Sequence, residues 1–128
     1  MAHYLVLAVL MRRARISGKH WLVEFYSARQ LGDAKAIRLA LRAAVTASGA
    51  TLLKLQLHHF GPGGGVTGVA LLAESHISIH TWPERGYAAV DIFMCGPTSN
   101  PQKALAALRA ALDPRKVRIR RFERGLES

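Results

Sequence analysis

The sequence predicts an α+β fold, a two-layer sandwich in which an antiparallel β-sheet carries two helices on one face. Three observations lead to this prediction. Several short segments have strand character, most connections between them are short enough for hairpins, and two other segments have helical periodicity. The chain has 128 residues, half of them apolar, which suits one domain with one modest core. No linker or internal repeat divides it.

The first half of the chain contains a strand, a helix and a second strand. Residues 20–26 are rich in aromatic and branched side chains, as strands are. Asp33 is placed to cap a helix that runs to about Ser48, and Gly49 ends it. The stripe that we expect to face inward has helical spacing: Ile37, Leu41, Ala44, Val45 and Ser48. Residues 51–60 alternate, which predicts a half-buried strand with three leucines inside: Leu53, Leu55 and Leu57.

The second half contains three strands, a helix and an edge strand. The glycine-rich residues 61–65 predict a tight connection, because the lysine and hydroxyl of a phosphate-binding loop are missing. Strands are predicted over residues 66–73, 77–82 and 87–94. Asn100 caps a second helix that starts at Pro101 and reaches Leu112. The edge strand, residues 116–122, turns three side chains inward, the last after a one-residue slip: Val117, Ile119 and Phe122.

The formal net charge is +10, and basic residues concentrate within residues 12–19 and 115–124. Such charge can bind nucleic acid, but no stacking aromatics alternate with the arginines and no recognition motif is present. We therefore expect a solvated basic surface and no nucleic-acid partner. The apolar residues 4–11 are too few to span a bilayer, and basic residues follow them, whereas a secretory signal has its charges in front. We expect no membrane partner.

The chain has a single cysteine, which excludes an internal disulfide and fits a cytoplasmic location. Residues 1–17 are predicted to be an N-terminal extension, and residues 18–128 are predicted to form the folded domain. A domain this small would gain stability from a partner subunit.

Residues 73–96 carry the groups that covalent chemistry uses. They include the Glu74–Ser75 bond, two histidines and the only thiol, Cys95. The Ser75 hydroxyl can attack the preceding carbonyl and convert the peptide into an ester, and a histidine can act as the base for β-elimination. Hydrolysis of the resulting dehydroalanine leaves a pyruvoyl group, which can form a Schiff base with a substrate amine and accept electrons in a decarboxylation. Cys95 is suited to donate the proton that replaces the carboxylate.

Other interpretations of these residues stay open at this point. A serine and a histidine on adjacent strands are usually structural. Ser75 and His80 are an odd number of positions apart, so an unbroken strand would place them on opposite faces, and the proposal needs a break at residues 74–75. A serine hydrolase would lack its GxSxG motif, and a zinc site would lack HExxH and CxxC. The zinc ligands would be His76, His80 and Cys95, with His58 and His59 as further donors. We expect no metal.

Residues 18–125 resemble the prokaryotic S-adenosylmethionine decarboxylase proenzymes. The resemblance rests on LLAESHISIHTWPE at residues 71–84, on GYAAVDIF at residues 86–93, and on the Cys95-Gly96 pair. It implies self-cleavage between Glu74 and Ser75 into a β chain, residues 1–74, and an α chain, residues 75–128. It also implies a homodimer with an α/β/β/α arrangement, in which two sheets pack face to face with the helices outside.

The resemblance also implies a role for each matching residue. Ser75 becomes the pyruvoyl cofactor, which holds the substrate as a Schiff base. His80 is the base for processing, which Thr67 assists, and Cys95 donates the proton in decarboxylation. S-adenosylmethionine would be converted to S-adenosylmethioninamine and CO2 for spermidine and polyamine synthesis. Its nucleoside would be bound by Phe60, which stacks on adenine, by Glu84, which accepts from the ribose hydroxyls, and by Trp82.

The chain departs from the family pattern in ways that keep two alternatives open. Thr67 stands where serine is usual, the loop of residues 61–65 looks one residue longer, and Arg85 replaces a residue that is commonly neutral or aromatic. A reshaped pocket would suit a pyruvoyl-dependent arginine or ornithine decarboxylase. Stalled processing at Thr67 would instead leave an unprocessed, non-enzymatic basic binding protein.

Overall fold

Within residues 16–126, the described part of the chain contains six strands and two α-helices. The computed structural model describes residues 4–6, 16–73, 75–97 and 99–126. Along these residues the elements are β1 (Ser17–Tyr26), α1 (Ala34–Ser48), β2 (Leu52–His59), β3 (Val66–Leu72), β4 (Ser75–Trp82), β5 (Tyr87–Cys95), α2 (Pro101–Leu112) and β6 (Lys116–Gly125). A short 3-10 turn, Pro83–Arg85, connects β4 to β5.

The strands form one sheet in the order β2-β3-β4-β5-β1-β6, and every neighbouring pair is antiparallel. Strands from the two halves of the chain are interleaved in this order. The strands β1, β2 and β3 precede residue 74 and the other three follow it, yet β1 lies between β5 and β6. Each half of the chain is therefore held in the sheet by strands of the other half.

The hydrophobic core lies between the sheet and the two helices. Because side chains alternate along a strand, every second residue of the central strands points to this face. The largest fully buried side chains come from both layers: Phe25, Ile77, Ile79 and Ile92 from the strands, and Ile37, Leu41, Leu108 and Leu112 from the helices. The predicted α+β sandwich with helices on one face is confirmed.

Both helices begin and end where their capping residues predict. The Asp33 carboxylate accepts hydrogen bonds from the backbone N–H groups of Lys35 and Ala36, at 3.0 and 3.2 Å. Gly49, with φ at 76°, ends the same helix in the left-handed conformation that glycine adopts without strain. The Asn100 side chain accepts from the N–H of Lys103 at 3.1 Å. The stripe predicted to face inward on α1 is buried throughout.

The predictions that Leu53 and Phe122 point inward were wrong. Leu53 is 53% exposed, because the register between β2 and β3 shifts between Leu52 and Lys54, so that Leu52 takes the inward position opposite Leu72. Phe122 is 50% exposed, because β6 pairs with β1 without the slip that we expected. Arg121 takes the position above the core instead, with its guanidinium carbon 4.6 Å from the centre of the Trp21 ring.

Most of the predicted extension, residues 1–17, lies outside the described residues. The Tyr4 hydroxyl donates to the Leu52 carbonyl at 3.5 Å, and Ser17 already belongs to β1. No helix in the described part of the chain has the length and apolar content needed to cross a membrane.

The sheet face opposite the helices carries most of the residues of chemical interest, and we call it the open face. The register arranges its side chains in rows that cross the strands. Near the end of β4 one row contains Thr67, His80, Ala89 and Glu24. Near the beginning of β4 another row contains Cys95, Gly18 and Arg124.

Candidate active site

Five of the predicted site residues surround one cleft at the end of β4. We call them the His80 cluster: Phe60, Thr67, His80, Trp82 and Glu84. Thr67 and His80 are direct partners across β3 and β4, so their side chains leave the sheet side by side. Phe60 directly follows β2, and Glu84 lies in the 3-10 turn after β4. Together with glycines of the 61–65 loop they line a cavity of about 350 Å³.

The polar and aromatic groups of the His80 cluster are close enough to act on one ligand. The Thr67 hydroxyl oxygen lies 3.1 Å from Nδ1 of His80, within hydrogen-bond distance. Phe60 is 64% exposed and Trp82 is 42% exposed, so both rings can still bury apolar surface against a ligand. The Glu84 carboxylate is exposed at the rim of the same cavity and can accept hydrogen bonds.

A buried hydroxyl fixes the wall of this cleft. Thr81 Oγ1 donates to the Leu31 carbonyl at 2.6 Å and accepts from the Val66 N–H at 2.8 Å. The neighbouring loop passes so close that a Cβ atom on Gly65 would be 1.9 Å from the Thr81 carbonyl oxygen. Only glycine fits there, which explains the end of the glycine run in structural terms.

Ser75 and Cys95 both lie at the opposite end of the sheet, on neighbouring strands. Ser75 is the first residue of β4, is half-buried, and its hydroxyl donates to the Ala73 carbonyl at 3.4 Å. Cys95 is the last residue of β5, half-buried and in register with Gly18. Glu74, the other side of the predicted cleavage bond, lies outside the described residues.

The structure does not bring Ser75 and His80 together within one chain. Five residues separate them along an unbroken strand, which is about 17 Å at the rise of a β-strand. The two side chains are therefore separated by distance as well as by face. A break at residues 74–75 does not remove the distance. The predicted site residues form two groups: the His80 cluster at one end, and Ser75 with Cys95 at the other.

A third group, which the sequence analysis missed, lies between them on the open face. One ligand atom each from His20, His76 and Asp91 falls within a 4.8 Å group that could hold a metal ion. Nε2 of His20 is buried without a hydrogen bond, 3.5 Å from an Asp91 carboxylate oxygen, and we interpret this spacing as an imidazole–carboxylate pair. The zinc set considered from the sequence does not assemble, because His76 packs here, four strand residues from His80. Because side chains alternate along β1, the sequence could have placed His20 on the face opposite to that of the buried Trp21.

An aromatic stack supports the Trp82 side of the cleft. The Tyr87 ring stacks between Trp82 and Tyr26, with centroid distances of 5.3 and 5.7 Å. Its hydroxyl donates to a Glu24 carboxylate oxygen at 2.6 Å. Burial, followed by this hydrogen bond and the charge of Glu24, raises the pKa of Tyr87 to about 12. Glu24 and Tyr87 also escaped the sequence analysis, because their contact depends on the β1–β5 pairing.

Comparison with known proteins identifies the family of this chain. A model of the S-adenosylmethionine decarboxylase family matches residues 19–125. The chain belongs to this family. The resemblance inferred from the sequence is thereby confirmed.

Three relatives named S-adenosylmethionine decarboxylase proenzyme illustrate the similarity. The protein of Thermomicrobium roseum is 44% identical over 109 residues, which cover 85% of this chain and 94% of the relative. That of Parasynechococcus marenigrum is 50% identical over 109 residues, 84% of each chain. That of Methanococcus aeolicus is 48% identical over 110 residues, 84% of this chain and 93% of the relative.

The fold is similar to that of a solved family member. The crystal structure of the adenosylmethionine decarboxylase from Aquifex aeolicus matches with a TM-score of 0.81 at 36% sequence identity. The match covers 90% of this chain and 96% of that chain.

Proposed function

We propose that this chain is a self-processing proenzyme whose mature form decarboxylates S-adenosylmethionine for polyamine synthesis. Membership of the family, at 44% to 50% identity over 84% to 94% of the relatives' length, is the observation that carries the proposal. Cleavage would occur between Glu74 and Ser75, and Ser75 would become a pyruvoyl group. When formed, that group would supply an electron sink for loss of the substrate carboxylate.

The surroundings of Ser75 fit this conversion. Ser75 is paired with Leu72 at the very start of β4, so the ladder that holds β4 begins at the new chain end and survives cleavage. Its side chain is only half-buried, which leaves room for a substrate amine to approach. Cys95, at the end of the neighbouring strand, would deliver a proton at this same end of the sheet.

The separation of the two groups supports a homodimer with shared sites. Suppose that two open faces pack together about a two-fold axis that crosses the strands at Ser78. Position 75 of one subunit then faces position 81 of the other, between His80 and Trp82, and a turn of the chain at residues 74–75 would bring the Ser75 side chain from the helix side to the open face. Packed sheets lie about 10 Å apart, a distance that side chains and a substrate can fill. Each site would then take Ser75 and Cys95 from one subunit and the His80 cluster from its partner.

The exposed apolar surface is consistent with such packing. Leu71, Trp82 and Phe122 are all on the open face and are between 42% and 50% exposed. No helix covers them among the described residues, and burial of this surface by a second copy would stabilise a small domain.

Within a shared site, each residue of the His80 cluster has a definite task. His80 would take the proton from the Ser75 α-carbon during processing, with Thr67 fixing the imidazole through Nδ1. Phe60 would stack on adenine, the Trp82 ring would face the sulfonium cation, and Glu84 would accept from the ribose hydroxyls. Cys95 would protonate the carbon that has lost CO2.

The first experiment is the intact mass of the purified protein under denaturing conditions. We expect two fragments that meet at the Glu74–Ser75 bond, the second blocked by a pyruvoyl group. Ser75→Ala should remain full length, and Thr67→Ser should cleave at least as fast as the natural sequence. Release of CO2 from carboxyl-labelled S-adenosylmethionine then tests the activity, with Cys95→Ala as the cleaved but weakly active control.

The same experiments decide against the alternatives. A fully cleaved protein that releases CO2 from arginine or ornithine, and none from S-adenosylmethionine, would show that the proposed substrate is wrong. A chain that stays uncleaved on long incubation would instead favour the unprocessed basic binding protein. The family match and the relatives' names favour neither alternative. A cytoplasmic location remains a prediction.

A further inference from the structure

Arg124, Gly18 and Cys95 lie side by side in one row of the open face. Gly18 of β1 pairs with Arg124 of β6 on one side and with Cys95 of β5 on the other. Residues in such a row point to the same face of the sheet. Because glycine has no side chain, the space above β1 is left to the side chains of its neighbours in the row and of Phe93.

Three groups meet in that space. A Cβ atom on Gly18 would be 2.7 Å from Cε1 and 3.2 Å from Cζ of Phe93, and 3.1 Å from Sγ of Cys95. The guanidinium carbon of Arg124 lies 4.9 Å from the centre of the Phe93 ring. The aromatic ring thus contacts the guanidinium and borders the thiol, above a backbone position where any larger residue would displace both ring and sulfur.

The other open-face arginines of β6 are placed elsewhere. Arg118 pairs with Glu24 and Arg120 with Leu22, in rows that lead away from Cys95 towards the His80 end. Six strand residues, about 20 Å, separate Arg118 from Arg124. Of these three arginines, only Arg124 lies in the same row as Cys95.

A fixed cation beside a thiol stabilises the thiolate. Arginine keeps its charge at all relevant pH values, and the face of an aromatic ring holds its planar guanidinium by a cation–π contact. We propose that Arg124 is a positioning residue for Cys95, held on Phe93 above Gly18, which sets the pH range in which the thiol gives up its proton. This rests on the proposed role of Cys95 as proton donor.

The effect on the reaction follows from the balance of the proton step. When Cys95 acts, its S–H bond breaks, the proton goes to the substrate carbon that has lost CO2, and the electron pair stays on sulfur. Arg124 stabilises the thiolate that remains, so the proton is given up more readily. Water then restores the thiol before the next turnover. An arginine at this position therefore makes Cys95 a stronger acid.

Other titratable groups also face this part of the sheet. Among the described residues they are His20 of β1, His76 of β4 and Asp91 of β5, all towards the middle of the open face. They are the same in each variant compared below, so a difference between variants reports the arginine that was removed.

The test is the pH profile of Cys95 alkylation by iodoacetamide in the full chain, followed by mass spectrometry. The chain has one cysteine, so every label reports this thiol. We expect Arg124→Gln to raise the midpoint of the profile by about one pH unit, since a neighbouring opposite charge shifts a titration by that order. Arg124→Lys keeps the charge but not the planar stack, and its midpoint should lie between those of the natural sequence and Arg124→Gln.

The matched control is Arg118→Gln, which removes the same charge from the same strand and face but at the other end. Its midpoint should stay with that of the natural sequence. Equal midpoints for Arg124→Gln and Arg118→Gln would overturn the proposal. Should Arg124→Gln not fold, Phe93→Leu, which removes the aromatic platform and keeps an apolar side chain, must raise the midpoint, and an unchanged midpoint there is equally contradictory.

Decarboxylation gives a second readout. Activity that needs the protonated thiol is lost as pH rises, and in Arg124→Gln this loss should move to higher pH together with the alkylation midpoint. A natural chain that releases no CO2, but whose alkylation midpoint still depends on Arg124, would refute the proposed function and support the placement of Arg124.

Discussion

Thr81 shows how much a single buried hydroxyl does in this fold. Its side chain bonds the Leu31 carbonyl and the Val66 N–H, and joins β4 to β3 and to the segment before α1. Both partners are backbone groups that no water replaces when the hydroxyl is lost, because Thr81 is only 6% exposed.

Replacement of Thr81 by valine keeps the shape and removes both hydrogen bonds. We expect Thr81→Val to lower the free energy of unfolding by about 2 to 3 kcal/mol, the cost of leaving buried polar groups unpaired. Urea denaturation followed by circular dichroism measures it. Thr46→Val, at an exposed position of α1, is the matched control and should change stability by less than about 0.5 kcal/mol. Similar losses in both variants would contradict the role of the hydroxyl.

Tyr87 makes the free energy of unfolding depend on pH in the alkaline range. Its pKa is raised from 10.0 to about 12, chiefly by burial and then by Glu24. Between these values the unfolded chain releases the phenolic proton and the folded chain keeps it. The stability that Tyr87 gains from its raised pKa is therefore complete below pH 10 and is lost as pH rises towards 12.

Tyr87→Phe should remove this part of the pH dependence. We expect the stability difference between the natural chain and Tyr87→Phe to be constant up to about pH 9.5, and to shrink above pH 10. Urea denaturation of both chains at several pH values measures it. A difference that stays constant to pH 11.5 would show that Tyr87 titrates normally.

At the scale of the elements, both helices depend on their end residues. Asp33 caps α1 through two backbone N–H groups, whereas Asp113, after α2, adopts a left-handed conformation with φ at 46°. The two positions offer substitutions that remove the same charge with opposite effects.

Asp33→Ala should lower the free energy of unfolding by about 1 kcal/mol, the usual cost of losing an N-cap. Asp113→Gly should raise it by about 0.5 kcal/mol, because glycine adopts the left-handed conformation without strain. Thermal and urea denaturation of the pair distinguishes capping from net charge. Shifts of the same sign in both variants would show that charge, and not capping, dominates.

Most elements of the fold could be predicted because their signals are local. Asp33, Gly49, Asn100 and Pro101 mark helix ends by their own side chains, and alternation marks the strands. The two errors, at Leu53 and Phe122, concern register, which is decided by pairing with a distant strand. The sequence contains no local sign of the bulge beside Leu53 or of the unbroken β6 ladder.

The candidate site could be predicted only in part, for the same reason. Resemblance to the family identified Ser75, His80 and Cys95, but their division between the two ends of the sheet required the strand order. The Thr67–His80 contact and the approach of Arg124 to Phe93 both arise from cross-strand partners that are far apart in sequence.

At the scale of the whole molecule, the proposed shared sites predict that two impaired variants complement each other. On the proposed roles, His80→Ala would lack the base for processing, and Cys95→Ala would lack the proton donor. In a mixed dimer, one site would combine Ser75 and Cys95 of the first variant with His80 of the second, and would be intact. Co-expression should therefore restore about a quarter of the natural activity, from random pairing.

The measurement is CO2 release from the co-expressed pair, compared with each variant alone and with both mixed after separate purification. A double variant, His80→Ala with Cys95→Ala, co-expressed with an inactive partner of either kind, should stay inactive. Absence of any recovery in the co-expressed pair would place each site within one subunit.

The interleaved strand order has a consequence for a chain that cuts itself after residue 74. The two fragments would share three strand pairings, β3 with β4, β1 with β5 and β1 with β6, and would stay assembled with no covalent bond between them. Unfolding would release two separate molecules whose reassembly is second order, whereas the uncut precursor refolds as one. The mature protein would therefore recover from denaturation only at high concentration, and its native assembly would depend on having folded before it was cut.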